Sequence, residues 1–151
     1  MTKPVPDGNT RSATVSDAAA PLIAIVDDDA SVRQSTRRLI HSFGYRAEAF
    51  GSGEEFLGSA VVQQTACLLL DVRMPGMDGL EVQRRLAARG ASIPVVFLTG
   101  RASDDEERRA RLAGAVEFLR KPVGEGTLLQ VLRGVLHASQ RARGEPNGDD
   151  E

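Results

Sequence analysis

Short runs of branched apolar residues alternate along this chain with longer segments in which apolar residues recur at helical spacing. Each run is apolar throughout rather than at every second position, a pattern typical of parallel strands covered on both faces. Clear runs occupy residues 22–26, 66–70, 95–98 and 116–120. Because the alternation occurs five times, the pattern predicts an α/β fold with right-handed crossovers and a doubly wound, five-stranded parallel sheet.

The longer segments carry the signals of helices. In residues 30–43 the apolar residues share one helical face and the arginines lie outside that face. Ser52 and Ser103 each precede a glutamate by three residues, which is the sequence of a capping box that opens a helix. Helices are therefore predicted over residues 30–43, from Ser52, over 79–89 with Gly90 as the stop, over 103–112, and over 124–141.

The two ends of the chain differ in composition from the segment between them. Residues 1–20 mix Pro, Gly, Ser, Thr and Ala with few large apolar residues, a composition that cannot offset its own ordering entropy. Residues 144–151 hold four acidic residues and no basic one. We expect a flexible lead-in over 1–20, one folded domain over 21–143, and a disordered acidic tail over 144–151.

Composition and charge exclude several classes of function. With 19 basic and 21 acidic residues the net charge is -2, so the chain lacks the basic surface that direct nucleic-acid binding requires. Cys67 is the only cysteine, so neither an internal disulfide nor a cysteine zinc site can form. No stretch approaches the length of a membrane span, and a cytoplasmic location is the expectation.

Reactive polar residues follow four of the apolar runs at the point where each run ends. Three consecutive aspartates, Asp27 to Asp29, follow the first run, and Asp71 follows the second of the clear runs. Thr99 and Lys121 follow the other two. The carboxyl ends of parallel strands meet at one edge of a doubly wound sheet, where such folds bind their ligands. The sequence therefore predicts one site at which carboxylates, a hydroxyl and an ammonium lie close together.

These residue types suit phosphoryl chemistry on a divalent cation. Asp27, Asp28 and Asp71 would repel one another and raise each other's pKa unless a cation joined them. Oxygen ligands without His or Cys favour a hard ion, and a site completed by water and phosphate oxygens favours Mg²⁺. The Lys121 ammonium and the Thr99 hydroxyl suit contacts with anionic phosphoryl oxygens. An aspartate oxygen is then the expected nucleophile, and its product is an acyl phosphate.

Together these motifs resemble the receiver domain of two-component response regulators over residues 22–138. The resemblance rests on the acidic pair after the first run, on Asp71 followed by Met-Pro-Gly-Met-Asp-Gly, on Thr99, and on Lys121 followed by proline. It implies a flavodoxin-like (βα)5 fold with strand order 2-1-3-4-5. It also implies the phosphoryl donor, which is a sensor histidine kinase or a histidine phosphotransfer protein.

The resemblance assigns roles to the acidic residues. Asp71 would be the phosphate acceptor, and Asp27 and Asp28 would form the acidic pair that accompanies it. Mg²⁺ would be held by Asp28, Asp71 and the main-chain carbonyl of Arg73, and Asp27 would reach the ion through water. No organic cofactor is implied.

The resemblance also assigns roles at the last two runs. Thr99 and Lys121 would hold the phosphoryl oxygens, and the peptide bond between Lys121 and Pro122 would be cis. Phe118 occupies the position of a switch aromatic. On phosphorylation Thr99 would move inward, and Phe118 would follow into the vacated space.

Details of the motifs look most like the FixJ-type branch, whose members usually carry a DNA-binding helix-turn-helix domain after the receiver. The similarity lies in the Thr-Gly pair at 99–100 and in residues 114–118. No such output domain is found in this sequence, so a stand-alone receiver is the expectation. Arg73 and Arg101 lie two residues after the acceptor and after the threonine. The resemblance implies that these two positions border the path of the hydrolytic water, so the acyl-phosphate lifetime stays open.

The expected output is a phosphorylation-dependent protein-protein interface, formed with a partner or a second copy through the face between Ser103 and Arg141. The chain would then not be a turnover enzyme on an external substrate. One alternative is a phosphate sink or shuttle in a phosphorelay, and another is the receiver half of a truncated DNA-binding regulator.

A more distant alternative is a haloacid-dehalogenase-like phosphatase, which uses similar residues on a similar sheet. It would make Asp27 the nucleophile, because Asp27 and Asp29 approximate the Asp-x-Asp opening of that family. It also requires an acidic pair on a strand after Lys121, whereas the paired acids beyond that lysine are Asp149 and Asp150 in the polar tail. The receiver interpretation uses Asp71 and its turn, and the phosphatase interpretation leaves both without a role.

Overall fold

The computed structural model describes residues 20–144, in which five strands alternate with five helices. A short 3-10 helix, Ala60–Gln64, precedes the third strand. Apart from Ala20 and Gly144, the expected lead-in and acidic tail lie outside the described residues, and both stay predictions. The strands β1 to β5 are Leu22–Val26, Arg46–Phe50, Thr65–Leu70, Val95–Thr99 and Glu117–Arg120, and the helices α1 to α5 are Ala30–Ser42, Gly53–Leu57, Gly79–Ala88, Asp104–Leu112 and Glu125–Gly144.

All five strands are parallel and lie in the order β2-β1-β3-β4-β5, which confirms the predicted topology. The register aligns the carboxyl ends of neighbouring strands. Val26 at the end of β1 pairs with Leu70 at the end of β3, and Thr99 at the end of β4 pairs with Arg120 at the end of β5. The residues that follow these strands therefore emerge side by side.

The central strands are buried on both faces, which is why their sequences are apolar throughout. In β1, Ala24 and Val26 face the side covered by α2, α3 and α4, while Ile23 and Ile25 face the side covered by α1 and α5. The first layer packs around residues such as Phe56 and Phe97, and the second around Ile40 and Leu132. All four of these side chains are fully buried.

The predicted helix boundaries agree with the structure to within a few residues, but one of the two predicted capping boxes is incomplete. Ser103 forms a complete capping box with Glu106 at the start of α4, as predicted. Ser52 does accept a hydrogen bond from the Glu55 amide, but the Glu55 carboxylate accepts from the Gly51 amide instead of returning to Ser52. The box predicted at Ser52 is therefore only half formed.

Two other boundaries differ slightly from the sequence pattern. Strand β5 begins at Glu117, one residue later than predicted, and α5 continues to Gly144. The Val116 amide still donates to the Val95 carbonyl at 2.9 Å, but its side chain is 45% exposed. Within residues 20–144, no helix combines the length and the hydrophobicity that a membrane crossing requires.

Candidate functional site

The carboxyl ends of β1 and β3 bring three aspartates together. Asp27 and Asp28 follow β1, and Asp71 follows β3, whose last residue pairs with the last residue of β1. The Asp71 amide donates to the Val26 carbonyl at 3.0 Å, which extends the ladder by one residue. Carboxylate oxygens of the three aspartates all lie within 4.8 Å of one another.

Asp27 is the most constrained of the three. The residue is buried, at 4% relative exposure, and both of its carboxylate oxygens have partners. Oδ1 accepts from the Asp29 amide at 2.9 Å, and Oδ2 lies 3.0 Å from the Lys121 ammonium. The main-chain carbonyl of Asp27 also accepts from the Arg33 guanidinium at 2.9 Å. The Asp27 carboxylate is therefore held in one orientation at the site.

Asp71 and Asp28 are more open to solvent, since Asp71 is half-buried and Asp28 is exposed. Burial of its carboxylate raises the pKa of Asp71 above its ordinary value, although the Thr99 hydroxyl and the Lys121 ammonium favour the charged form. The backbone behind Asp71 is tightly packed, because a Cβ on Gly79 would lie 2.2 Å from the Asp71 carbonyl oxygen. Only glycine fits there, so the loop after β3 lies close to the start of α3.

The acidic cluster fits a hard divalent cation. Three carboxylates supply only oxygen donors, and their spacing lets a single ion contact more than one of them. The half-buried position of Asp71 makes an uncompensated negative charge unfavourable there. The donor set and the geometry therefore agree with the predicted Mg²⁺ site.

Thr99 and Lys121 reach the same edge from β4 and β5. The Lys121 amide donates to the Thr99 carbonyl at 2.8 Å, which fixes the two residues relative to each other, and the Lys121–Pro122 peptide bond is cis, as predicted. The buried Thr99 hydroxyl donates to the Arg101 carbonyl at 3.0 Å and accepts from the Arg101 amide at 3.3 Å. The Thr99 hydroxyl and the Lys121 ammonium therefore both have hydrogen-bond partners within the protein.

Phe118 lies inside the structure. Its side chain is 5% exposed and packs against Phe97, with ring centroids 5.5 Å apart. The Arg120 guanidinium covers it, 5.5 Å from the ring centroid. The ring is therefore packed between Phe97 and the Arg120 guanidinium, and its role as a switch stays a prediction.

The sequence profile described as "Response regulator receiver domain" matches residues 23–133, well over half of the chain. The chain belongs to this family. It is a response regulator receiver domain of a two-component system, a class of domain that accepts phosphoryl groups from histidine kinases. Such receiver domains are in general not turnover enzymes on an external substrate.

The receiver is similar to parts of longer regulators. Nodulation protein W of Bradyrhizobium diazoefficiens is 41% identical over 122 residues, which cover 81% of this chain and 52% of that protein. The transcriptional regulatory protein FixJ of the same organism is 32% identical over 120 residues, covering 80% of this chain and 58% of that protein. The chain thus spans about half the length of the curated relatives it matches, and the stand-alone receiver stays a prediction.

A solved structure agrees with the fold and with the family. The response regulator StyR aligns with a TM-score of 0.75 at 41% identity, and the alignment covers 82% of this receiver and 63% of that chain. The similarity to FixJ supports the branch that the motifs at residues 99–100 and 114–118 suggested.

Three side-chain contacts at the edge of the receiver's site were not predicted from the sequence. The Arg73 side chain bonds the Glu106 carboxylate, and Arg120 donates to the Ala102 carbonyl at 2.7 Å and to the Glu107 carboxylate at 2.9 Å. These arginines tie the loop after β4 and the first turn of α4 to the site. A signal did exist for Arg120, because it directly precedes Lys121. The capping-box pattern located Glu106 but gave no indication of its contact with Arg73.

Proposed function

We propose that Asp71 accepts the phosphoryl group. The observation that carries this proposal is the convergence of three carboxylates, within 4.8 Å of one another, beside Lys121 and Thr99. An Asp71 carboxylate oxygen attacks the phosphorus of a phosphohistidine, the phosphorus-nitrogen bond breaks, and the imidazole leaves and takes up a proton from water. The product is an acyl phosphate on Asp71, formed in the cytoplasm, where the donor kinase or phosphotransfer protein presents its histidine.

The roles that we assign to the neighbouring residues rest on the family resemblance and on their contacts. Asp28 and Asp71 would hold Mg²⁺ together with the main-chain carbonyl of Arg73, and the ion would neutralise charge on the phosphoryl oxygens. Asp27 would act through water, since both of its carboxylate oxygens already have protein partners. The same contacts disfavour Asp27 as the nucleophile, which is the requirement of the haloacid-dehalogenase-like alternative.

Lys121 and Thr99 would bind the phosphoryl oxygens. The Lys121 ammonium is held at the site by Asp27, so it is in place before phosphate arrives. The Thr99 hydroxyl now bonds its own loop, and contact with a phosphoryl oxygen would require it to leave the Arg101 carbonyl. Phosphorylation would therefore change the loop that leads into α4.

The output of the phosphorylated state would be a protein interface on the face between Ser103 and Arg141. Two large apolar side chains on this face are exposed, Leu112 at 77% and Val116 at 45%. An apolar groove of about 720 Å³ continues this surface between the starts of β4 and β5 and the helix α5, where Val131 and Val135 line it. Exposed apolar surface on this face favours signalling through contact over a sink or shuttle.

Phosphotransfer tests the acceptor directly. Wild-type protein, Asp71→Asn and Asp27→Asn would be incubated with Mg²⁺ and phosphoramidate, and acyl phosphate would be measured by intact mass. We expect labelling of the wild type and of Asp27→Asn, none of Asp71→Asn, and none after EDTA treatment. Labelling that survives in Asp71→Asn would overturn the assignment, and profiling against purified histidine kinases would then identify the donor of whichever residue is labelled.

The oligomeric state tests the output. Size-exclusion chromatography with light scattering would compare the protein with and without Mg²⁺ and beryllofluoride, a stable mimic of the phosphoryl group. A dimer, or a complex with a candidate partner, that forms only with the mimic supports the interface. If association does not depend on the mimic in any sample, the sink or shuttle becomes the better description.

A further inference from the structure

Arg73 joins the acceptor loop to helix α4. Its Nε and Nη2 atoms lie 3.3 and 2.9 Å from Oε1 of Glu106, a residue 33 positions later in the sequence. Arg73 itself is two residues beyond Asp71. Within the described residues, this is the ion pair that connects the loop after β3 to α4.

The same glutamate also organises the start of α4. Glu106 Oε1 accepts from the Ser103 amide at 2.9 Å, and Ser103 Oγ accepts from the Glu106 amide at 3.0 Å, which completes the capping box. Ser103 lies four residues after Thr99, at the end of the loop that Thr99 begins. The Arg73 side chain therefore bridges two loops that border the phosphoryl site, one after Asp71 and one after Thr99.

The position of this bridge suits it to carry a change from the site to α4. A contact can carry such a change when its strength differs between the unphosphorylated and phosphorylated states. The ion pair of Arg73 and Glu106 is such a contact, since it starts beside the acceptor and ends on α4.

We propose that Arg73 exchanges partners on phosphorylation, leaving Glu106 to bind the phosphoryl group on Asp71. The inference rests on the proposed function. Both Arg73 donors now share a single carboxylate oxygen, which also accepts from the Ser103 amide. A phosphoryl group carries more charge and three acceptor oxygens, and it suits the planar guanidinium better than one shared oxygen does.

The exchange would release α4 without unfolding its first turn. The capping box of Ser103 and Glu106 needs no arginine, so the helix start stays intact when Arg73 leaves. The exchange breaks only the ion pair that connects α4 to the acceptor loop. Arg73 thus acts as a positioning residue, because the charge on Asp71 decides whether Arg73 holds α4 through Glu106.

Three variants separate this role from simple stability. Glu106→Gln removes the competing charge, and the glutamine can still accept from the Ser103 amide. Arg73→Ala removes the guanidinium and leaves the main-chain carbonyl at the metal site. Arg108→Ala is the matched control, because Arg108 pairs with Asp105 within α4 and has no link to the acceptor loop.

The test is a beryllofluoride titration in saturating Mg²⁺, followed by NMR. If Arg73 must leave Glu106, the Glu106→Gln variant binds the mimic about two- to fivefold more tightly than the wild type, the range expected for an exposed ion pair. The Arg73→Ala variant binds the mimic more weakly than the wild type does. Adding Glu106→Gln to Arg73→Ala does not change the affinity for the mimic further. Equal effects of Glu106→Gln in both backgrounds, or no effect in either, overturn the exchange.

A second readout follows the guanidinium itself. The Arg73 Nε-H signal should shift when the mimic binds to the wild type, while the Arg108 Nε-H signal stays in place. An unshifted Arg73 signal in a mimic-bound sample overturns the exchange but leaves the acceptor assignment intact. Failure of the wild type to bind beryllofluoride, or binding that persists in Asp71→Asn, would instead contradict the proposed function.

Discussion

The Lys121 ammonium lies 3.0 Å from Asp27 Oδ2 and joins two residues 94 positions apart. Lys121 is partly exposed, whereas the Asp27 side chain is buried. The cation thus compensates one of the three clustered carboxylates before any metal binds. Without it, three like charges would meet at one sheet edge with no internal counter-ion.

We expect Lys121→Ala to destabilise the metal-free protein by about 1–3 kcal/mol, because it leaves the buried Asp27 carboxylate without its partner. The same variant should bind Mg²⁺ more tightly than the wild type, because the ion then has one competing cation fewer. Urea unfolding in EDTA and isothermal titration with Mg²⁺ measure the two effects. Lys121→Arg keeps the charge and is the control, and weaker Mg²⁺ binding by Lys121→Ala would contradict the account.

Asp71→Asn should raise the melting temperature of the metal-free protein by a few degrees at neutral pH. Burial raises the pKa of Asp71, so the folded state holds this proton more tightly than the unfolded chain does. The wild type therefore loses stability as the pH rises from the ordinary carboxyl range through the raised pKa, and it regains that stability on acidification. Asparagine has no charge to bury and no such dependence.

Thermal melts in EDTA between about pH 4 and pH 8 measure this difference. The gap between Asp71→Asn and the wild type should widen with rising pH and then become constant. Asp78→Asn serves as the control, since Asp78 caps α3 outside the acidic cluster. A gap that is largest at low pH would show that the sign is wrong.

Much of the fold followed from local patterns, and the site followed from where the strands end. The acids at Asp27, Asp28 and Asp71 were predictable because each directly follows an apolar run. The pair of Arg73 and Glu106 was not, because both lie outside the apolar pattern and are 33 positions apart. Their contact depends on how the two loops meet in three dimensions.

Two other details depended on competition that a sequence pattern does not resolve. The Glu55 carboxylate had two neighbouring amides within reach, and it bonds that of Gly51 rather than that of Ser52. The burial of Phe118 depends on Phe97 from the adjacent strand and on the guanidinium of Arg120. In each case the outcome was decided by a neighbour in space rather than by the residue's own segment.

Gly79→Ala should cost about 2–3 kcal/mol and impair phosphorylation, because the new Cβ would overlap the Asp71 carbonyl oxygen at 2.2 Å. Relief of this clash requires the acceptor loop to move away from α3. Gly100→Ala is the matched control, since its Cβ would meet the Lys121 side chain at an ordinary 3.9 Å. Denaturant unfolding and phosphoramidate labelling should show a large effect for the first variant and a change within about 0.5 kcal/mol for the second.

Arg120→Ala should loosen the loop after β4 and cost about 1 kcal/mol. The variant removes the donors to the Ala102 carbonyl and to the Glu107 carboxylate, and it uncovers the Phe118 ring. Hydrogen exchange should become faster over residues 100–107. The control is Arg108→Ala, whose ion pair lies within α4, and similar exchange in the two variants would show that Arg120 does not restrain the loop.

The strand order has a consequence for how the receiver is made. The acidic residues of the site follow β1 and β3, whereas Lys121 follows β5, the last strand of the sheet to leave the ribosome. A partly synthesised copy that lacks β5 holds the three carboxylates and Thr99 without the Lys121 ammonium. The carboxylates of the proposed site therefore gain their internal counter-ion only after the last strand of the sheet has been made.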